Sequence, residues 1–532
     1  MKRAIIVGAG VGGLTTGIRL LRQGFDVTIL EKNARPGGRL GRISQNGFTF
    51  DIGPTILLMP DVFYELFQEV GRNFDDYVEM AQLEPNYRLH YADGSVLAST
   101  PNLQRMLTEI QRLAPDDAAG YMKYLHDMYK RYQIARYDFI EQPMLSPLEL
   151  LKPSKLKKLY QLHTLGNMYD DIKRYVQDER LRMALTFQSL YIGIGPFRAP
   201  SIYNVIGFME LSYSGVWYPK GGYYAVAEAL VKVFREMGGS LLTQTEVDEV
   251  LVEAGQATGV RLVDGREIRG DKVVVNADFP QAMQRMLPKE ARGKYTDRKL
   301  QRMEQSCSTF MLYLGLNRQY DHVDVHNVFF SGDFQQNVEE IFEQNVMPTD
   351  PSLYVHTPSL IDDSVAPPGK STLYVLVPVP NLSSGIDWAQ EKEPFTQRIL
   401  QKLEQAGFDG LRDAIEFQAV FTPESWKSSF HLQEGAAFGV APTLTQSAYW
   451  RPSLKSKEVK NLYFVGASTH PGGGVPIVMT AARILEGIMA EDDPQAFPVT
   501  LPSFRGLVPQ QAPFAFREQA APASEKNQQM NQ

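Results

Sequence analysis

Residues 4–13 read Ala4-Ile5-Ile6-Val7-Gly8-Ala9-Gly10-Val11-Gly12-Gly13, and the fold turns on this stretch. Four apolar residues in a row fit a buried parallel strand and are too few for a helix. Gly8, Gly10 and Gly13 follow at the G-x-G-x-x-G spacing. Leu14 to Gln23 predicts a helix, with Leu14, Ile18 and Leu21 on one face and Gly24 as its stop. Val27-Thr28-Ile29-Leu30 is a second strand that ends in Glu31. Each part has a task in holding a dinucleotide. Gly8 turns the chain out of the strand, Gly10 lets a pyrophosphate reach the backbone, and Gly13 lets the helix pack on the sheet. The helix start offers free N–H groups and a positive dipole end. Glu31 stands where a carboxylate accepts hydrogen bonds from both adenosine ribose hydroxyls. Ala9, Gly12 and Leu14 of the loop, and Lys32 beside Glu31, complete the expected contacts.

Working outward, Arg35-Pro36-Gly37-Gly38-Arg39 is a second glycine loop, flanked by arginines and suited to a diphosphate. Phe48 to Pro54 reads as a strand entering a turn. Glu31 followed by such a loop favours FAD over NAD, because a flavin nucleotide lies extended and needs further loops along its length. Gly37, Gly38 and Arg39 are the expected contacts here, with Arg42 as a further diphosphate partner. Thr245-Glu246-Val247 is placed to meet the adenine through its backbone, Val247 above all. Near the other end, Asn461 to Gly466 is a strand running into glycine. Pro471-Gly472-Gly473-Gly474-Val475-Pro476 is a tight loop, and Ile477 to Ala490 is a helix. Pro476 suits the first helical turn. Gly466, Gly474 and Ile477 are expected to meet the flavin, with the helix dipole aimed at its ring.

The 532 residues suffice for two or more domains or one large interrupted one. A content of 43% hydrophobic and 22% charged residues is that of a globular protein. The net charge of −7 argues against nucleic acid as a partner. Cys307 is the only cysteine, which excludes an internal disulfide and multi-cysteine metal sites and fits a reducing compartment. Lys2-Arg3 before an apolar run imitates a signal peptide, but Gly8 to Gly13 and Arg19 interrupt it too early. No apolar stretch of about 18 residues predicts a spanning helix.

The remaining sequence divides by pattern. Residues from Asp61 to about Leu211 read as largely helical and rich in Tyr, Met and Leu. Within them, Ser154 to Tyr160 sets lysines beside leucines with no acid, the pattern of a solvated helix face or of one lying on an anionic membrane. A helix after Tyr218-Pro219-Lys220-Gly221-Gly222 leads to strands at 240–244, 246–252, 260–263 and 272–276. From Ser308 to Pro452 strands alternate with helices, and Phe395 to Gln405 is one helix. Asp321 to His326 holds two histidines and two aspartates on an expected loop, a combination more often polar surface than metal site; no metal is expected. The expected organisation is FAD-binding segments at 1–75, 216–300 and 456–495, a helical substrate or membrane region at 76–215, and a substrate domain at 301–455. Residues 496–532, rich in Pro, Ala and Gln, read as a disordered tail. The fold class is α/β, a Rossmann-like FAD-binding domain with an inserted α+β substrate domain.

The chain resembles the bacterial-type phytoene desaturase family of carotenoid enzymes from Met1 to about Glu491. The resemblance rests on Gly8 to Gly13, Glu31, Pro36 to Arg39, Phe50 to Thr55, Pro367 to Val375 and Gly466 to Pro476. Val475 to Val478, Tyr191 to Ile194 and Gly215 to Tyr218 look closer to the thirty-carbon diapophytoene desaturases and the related carotenoid oxidases. It implies the amine-oxidase-like type of FAD/NAD(P)-binding fold and non-covalent FAD. It also implies repeated removal of two hydrogens from a long isoprenoid hydrocarbon, phytoene or 4,4'-diapophytoene, with oxygen or a quinone as electron acceptor. The implied location is the cytoplasmic face of the cell membrane, bound peripherally, because the substrate dissolves in membranes. Catalytic residues stay unassigned, since the matched motifs contain no evident base. Three other readings share the fold class: a carotenoid terminal-methyl oxidase or polyene isomerase, an amine oxidase, and a non-catalytic prenyl-chain-binding protein.

Overall fold

The computed structural model describes residues 2–150 and 152–499. The tail expected from 496 onwards therefore lies, beyond Val499, outside the described residues.

A five-stranded sheet carries the glycine loop. Its order is Leu462–Phe464, Lys272–Val275, β1 (Arg3–Val7), β2 (Asp26–Leu30) and Ser240–Leu242, and every pairing is parallel. Ile6 lies between Ile29 and Val274, and Val274 lies beside Tyr463. Ala4, Ile5 and Ile6 are fully buried, as strands covered on both faces require. Ile5 and Val7 point into a cluster with Val250, Val260, Val273 and Phe464, beneath the antiparallel sheet 247–269. On the other face, α1 (Val11–Arg22) packs so closely that a Cβ at Gly17 would come within 3.1 Å of Ile29 and 2.8 Å of Phe234.

The chain's two ends are tied together under α1. Glu486 of the helix Val475–Asp492 accepts from Arg19 at 3.0 Å and from Arg22 at 2.8 Å. Arg19 also pairs with Glu69 at 2.6 Å. Glu486 is 1% exposed, so loss of both arginines would strand a buried charge.

A second sheet has seven strands in the order Ile415–Phe421, Ser308–Leu316, Ser371–Val379, Leu353–His356, His326–Phe329, Tyr87–His90 and Val96–Ser99. Phe310, Leu312, Val375 and Val377 form its core with Trp388, Phe395 and Ile399 of the helix Trp388–Gln405. That helix begins seven residues before the expected Phe395 and continues through Pro394. Two corrections to the sequence reading matter here. The 61–211 region contains short strands, and Tyr87–His90 joins the far sheet parallel to His326–Phe329. His326 is not on a loop; it opens a strand and is 1% exposed. Four-residue strands with alternating polar residues carry too short a period to stand out in a helical region. Among the described residues no helix is long and apolar enough to cross a membrane.

Candidate active site

A cavity of about 870 Å³ collects residues from all of these parts. Gly10 and Gly474 both line it, so the two glycine loops face one space. Two helices start at this wall. Gly10 precedes α1, and Gly474 precedes the final helix; neither start has a side-chain cap. Their first N–H groups are thus left for a ligand. Gly474 has φ +104°, which an L side chain adopts only under strain. The loops also touch each other: a Cβ on Gly12 would meet Val478 at 3.0 Å and Val465 at 3.2 Å.

Of the residues singled out from sequence, Gly8, Gly10, Gly12, Glu31, Lys32, Gly37, Gly38, Arg39, Val247, Gly466, Gly474 and Ile477 line the cavity. Ala9, Gly13 and Leu14 do not. Ala9 instead donates its N–H to Glu31 Oε2 at 2.8 Å. Gly13 is packed on the turn, where a Cβ would meet the Gly8 carbonyl oxygen at 2.1 Å. Leu14 is fully buried in the core. Glu31 Oε1 accepts from the Asn33 N–H at 2.9 Å, so two backbone bonds hold the carboxylate at the cavity wall. Burial lowers the Lys32 ammonium below its ordinary pKa, with Glu246 and Glu31 opposing.

Arg42 does not line the cavity. Its guanidinium donates to the Gly221 carbonyl at 2.8 Å, lies 3.4 Å from Glu228 and sits over the Tyr224 ring. Arg42 begins the strand Arg42–Gln45, whose hairpin with Phe48–Asp51 turns it toward the helix Tyr224–Glu236. Arg39 is the arginine at the site. It donates to the Ala437 carbonyl at 2.8 Å, and no described carboxylate lies within ion-pair distance. Burial pulls its pKa down, with Asp278 opposing. Asp278 also lines the cavity, with its carboxyl raised by burial and held by Ser468 at 2.7 Å.

These residues fit a dinucleotide. Two uncapped helix starts, an arginine lacking a paired carboxylate and close-packed glycines together describe a receptor for a diphosphate. Asn276 stands at the same wall: its Nδ2 donates to Val465 O at 2.8 Å, while its buried Oδ1 has no partner among the described residues and suits a ligand hydroxyl or N–H, since an amide oxygen only accepts. Sequence reading recorded Asn276 only as a strand end. Its place at the carboxyl end of a parallel strand, where such sheets bind ligands, is the signal that was there to use.

Beyond the loops the same cavity becomes apolar. Leu190, Ile202, Ile206 and Met209 from the helical region face Met311, Tyr354 and Leu376 from the seven-stranded sheet. Three tyrosines of that sheet hold the loop at its edge. Tyr313 donates to Ile52 O at 2.6 Å and Tyr374 to Gly53 O at 2.7 Å, while Tyr354 and Thr55 share a bond of 2.6 Å. The cavity reaches the surface among Leu156, Leu165, Leu444 and Trp450, of which Leu165 is 91% and Trp450 60% exposed. Leu156 and Leu159 belong to the helix Pro153–Gln161. Lys155 and Lys158 of that helix are bound to Asp138, whereas Lys152 and Lys157 are exposed.

Residues 11–484 match the flavin-containing amine oxidoreductases, and the chain belongs to that family. Among its relatives is a zeta-carotene-forming phytoene desaturase of Myxococcus xanthus, 40% identical over 91% of this chain and 93% of that protein. A 4,4'-diapophytoene desaturase (4,4'-diaponeurosporene-forming) of Staphylococcus haemolyticus is 41% identical over 92% of this chain and 98% of its own. Of the solved structures, an oxidoreductase from Methanosarcina mazei has the same fold, with TM-score 0.61 at 18% identity, covering 92% of this chain and 99% of that one.

Proposed function

We propose that this protein is an FAD-dependent desaturase that introduces double bonds into a linear carotenoid precursor, phytoene or 4,4'-diapophytoene. The observation that carries the reading is the continuity of the cavity. One end is lined by the glycine loops and two uncapped helix starts, which suit a dinucleotide, and the other is an apolar chamber open at an apolar rim. Relatives named as desaturases over nearly the whole chain favour this reading over terminal-methyl oxidation, isomerisation or passive chain binding.

FAD, when bound, supplies the two-electron oxidant that takes hydride from an allylic carbon. Segments 1–75, 216–300 and 456–495 hold it, and 76–215 with 301–455 shape the substrate site. Glu31 accepts from the ribose hydroxyls, and Val247 lies by the adenine. The N–H groups after Gly10, with Gly12, Gly37, Gly38 and Arg39, hold the diphosphate. Gly466, Gly474 and Ile477 flank the ring, where the start of the final helix favours negative charge. A hydrocarbon offers nothing to hydrogen-bond, so the chamber holds it by shape and apolar contact and keeps water from the electron-poor polyene.

The rim supports peripheral attachment to the membrane that dissolves the substrate. Leu156, Leu165, Leu444 and Trp450 are exposed around the opening, with the exposed Lys152 and Lys157 on or next to the helix of Leu156 to meet anionic headgroups. Oxygen or a quinone then serves as the electron acceptor.

The test is expression in cells that make either phytoene or diapophytoene, followed by pigment mass spectrometry. Products lighter by two hydrogens per step are expected. Gain of oxygen, or a new isomer of unchanged mass, would replace this reading with the oxidase or the isomerase.

A further inference from the structure

Desaturation removes two hydrogens, one as hydride and one as a proton, and a hydrocarbon chamber has few places for the proton. Among the polar groups that reach the wall, Thr55 and Tyr354 begin a chain that runs inward. Thr55 and Tyr354 line the cavity, and their hydroxyls are 2.6 Å apart. The Tyr354 hydroxyl is also 2.7 Å from His326 Nδ1. His326 does not line the cavity; it stands behind Tyr354 at 1% exposure.

The partners fix the direction of these bonds. His356 Nδ1 lies 3.1 Å from the Val325 carbonyl oxygen, which only accepts, so His356 carries its proton there. His326 Nδ1, 3.2 Å from the same atom, is left as an acceptor. Tyr354 therefore donates to His326 Nδ1 and accepts from Thr55. Burial lowers the pKa of both imidazoles, which keeps His326 neutral, its Nδ1 lone pair accepting from Tyr354. Hydroxyls and imidazoles beside an apolar chamber cost desolvation that valine or phenylalanine would avoid. Their alignment from the wall inward indicates a use.

We propose that the Tyr354–His326 pair, oriented by Thr55, takes up the proton that the substrate loses; this rests on the desaturase reading above. Hydride leaves an allylic carbon with its two electrons for the oxidised flavin, and a delocalised cation remains. The C–H bond on the adjacent carbon then breaks, and its electron pair becomes the new double bond. That proton binds the Tyr354 oxygen as Tyr354 passes its own to His326 Nδ1. The phenol stays neutral and the imidazole becomes imidazolium, one proton being gained by the protein. Before the next turnover the proton goes back through Tyr354 to the cavity, where reoxidation of the reduced flavin by oxygen or a quinone would consume it. An allylic cation is a far stronger acid than imidazolium, so a buried, weakly basic imidazole suffices. Tyr354 is the catalytic residue here; His326 and Thr55 are positioning residues.

The test compares Tyr354→Phe, His326→Asn and the double variant as flavin-loaded proteins, with phytoene and diapophytoene in liposomes. Each single variant is expected to lose about 100-fold in kcat, with KM and FAD affinity within about threefold of wild type. The double variant should be no slower than Tyr354→Phe, since the two act as one unit. His326→Asn keeps an acceptor for the phenol but has no basic site, so a merely structural role leaves it near wild type. Values of kcat within about threefold of wild type in both single variants would overturn the proposal. Should those variants fail to hold flavin, Thr55→Val decides: a loss of about tenfold in kcat supports the relay, and no loss refutes it. Wild-type protein giving no desaturated product from either hydrocarbon would instead overturn the desaturase reading.

Discussion

The two ends of the cavity are built by opposite means. The proposed nucleotide end is made of backbone and of side chains that are missing: glycines at 8, 10, 12, 37 and 38, with Gly13 packed behind Gly8, and the open starts of two helices. The chamber is made of side chains, one or two from each of many elements, such as Ile202 and Ile206 opposite Met311 and Tyr354. Adding atoms should therefore ruin the first, whereas changing polarity should ruin the second.

The largest effect is expected at Gly13. Gly13→Val drives a branched side chain into the Gly8 carbonyl oxygen, which a Cβ already meets at 2.1 Å. A cost of about 3 kcal/mol or more is expected, read as loss of soluble, yellow protein. Arg39→Ala removes the cation but adds no clash. It should weaken FAD binding by about 1.5–3 kcal/mol, measured by flavin fluorescence titration, with folding intact. Ile206→Asp sharpens the contrast from the other side. Flavin content should stay at the wild-type level while kcat/KM for the hydrocarbon falls about tenfold or more.

Glu210 tests the wall behind the chamber. It is fully buried, accepts from Tyr87 and Gln188 at 3.2 Å each, and is pushed by burial from an ordinary 4.5 up to about 8. Between those values the native state keeps a proton that the unfolded chain has lost. Wild-type stability should therefore fall as pH rises through that window. Glu210→Gln removes the dependence, so its Tm should gain on wild type by about 2 °C or more from about pH 5 to about pH 9. The smallest effect per residue changed belongs to the rim. Lys152→Gln with Lys157→Gln should weaken binding to anionic vesicles by about 1 kcal/mol per lysine and leave neutral vesicles unaffected.

The same contrast explains what could be read in advance. The strand, glycine loop, helix and acid of residues 4–31 are contiguous, and each is imposed by local stereochemistry. The meeting of the Gly10 and Gly474 loops was legible because both carry the marks of a backbone-lined site. The chamber was not. The relay of Thr55, Tyr354 and His326 joins residues about 300 positions apart, and its histidine was read as part of a loop. The strand Tyr87–His90 is set by its partner His326–Phe329, which no local period announces. Arg39 and Arg42 looked equivalent in sequence, and only the hairpin that starts at Arg42 separates them.

The central claim is that one continuous space joins a flavin to a hydrocarbon. It is tested most directly by an anaerobic single turnover of the purified, flavin-loaded protein with phytoene or diapophytoene in liposomes, followed by absorbance. The account predicts that flavin colour bleaches while new polyene bands rise in equal amount. A flavin that stays oxidised in the presence of both hydrocarbons would contradict it.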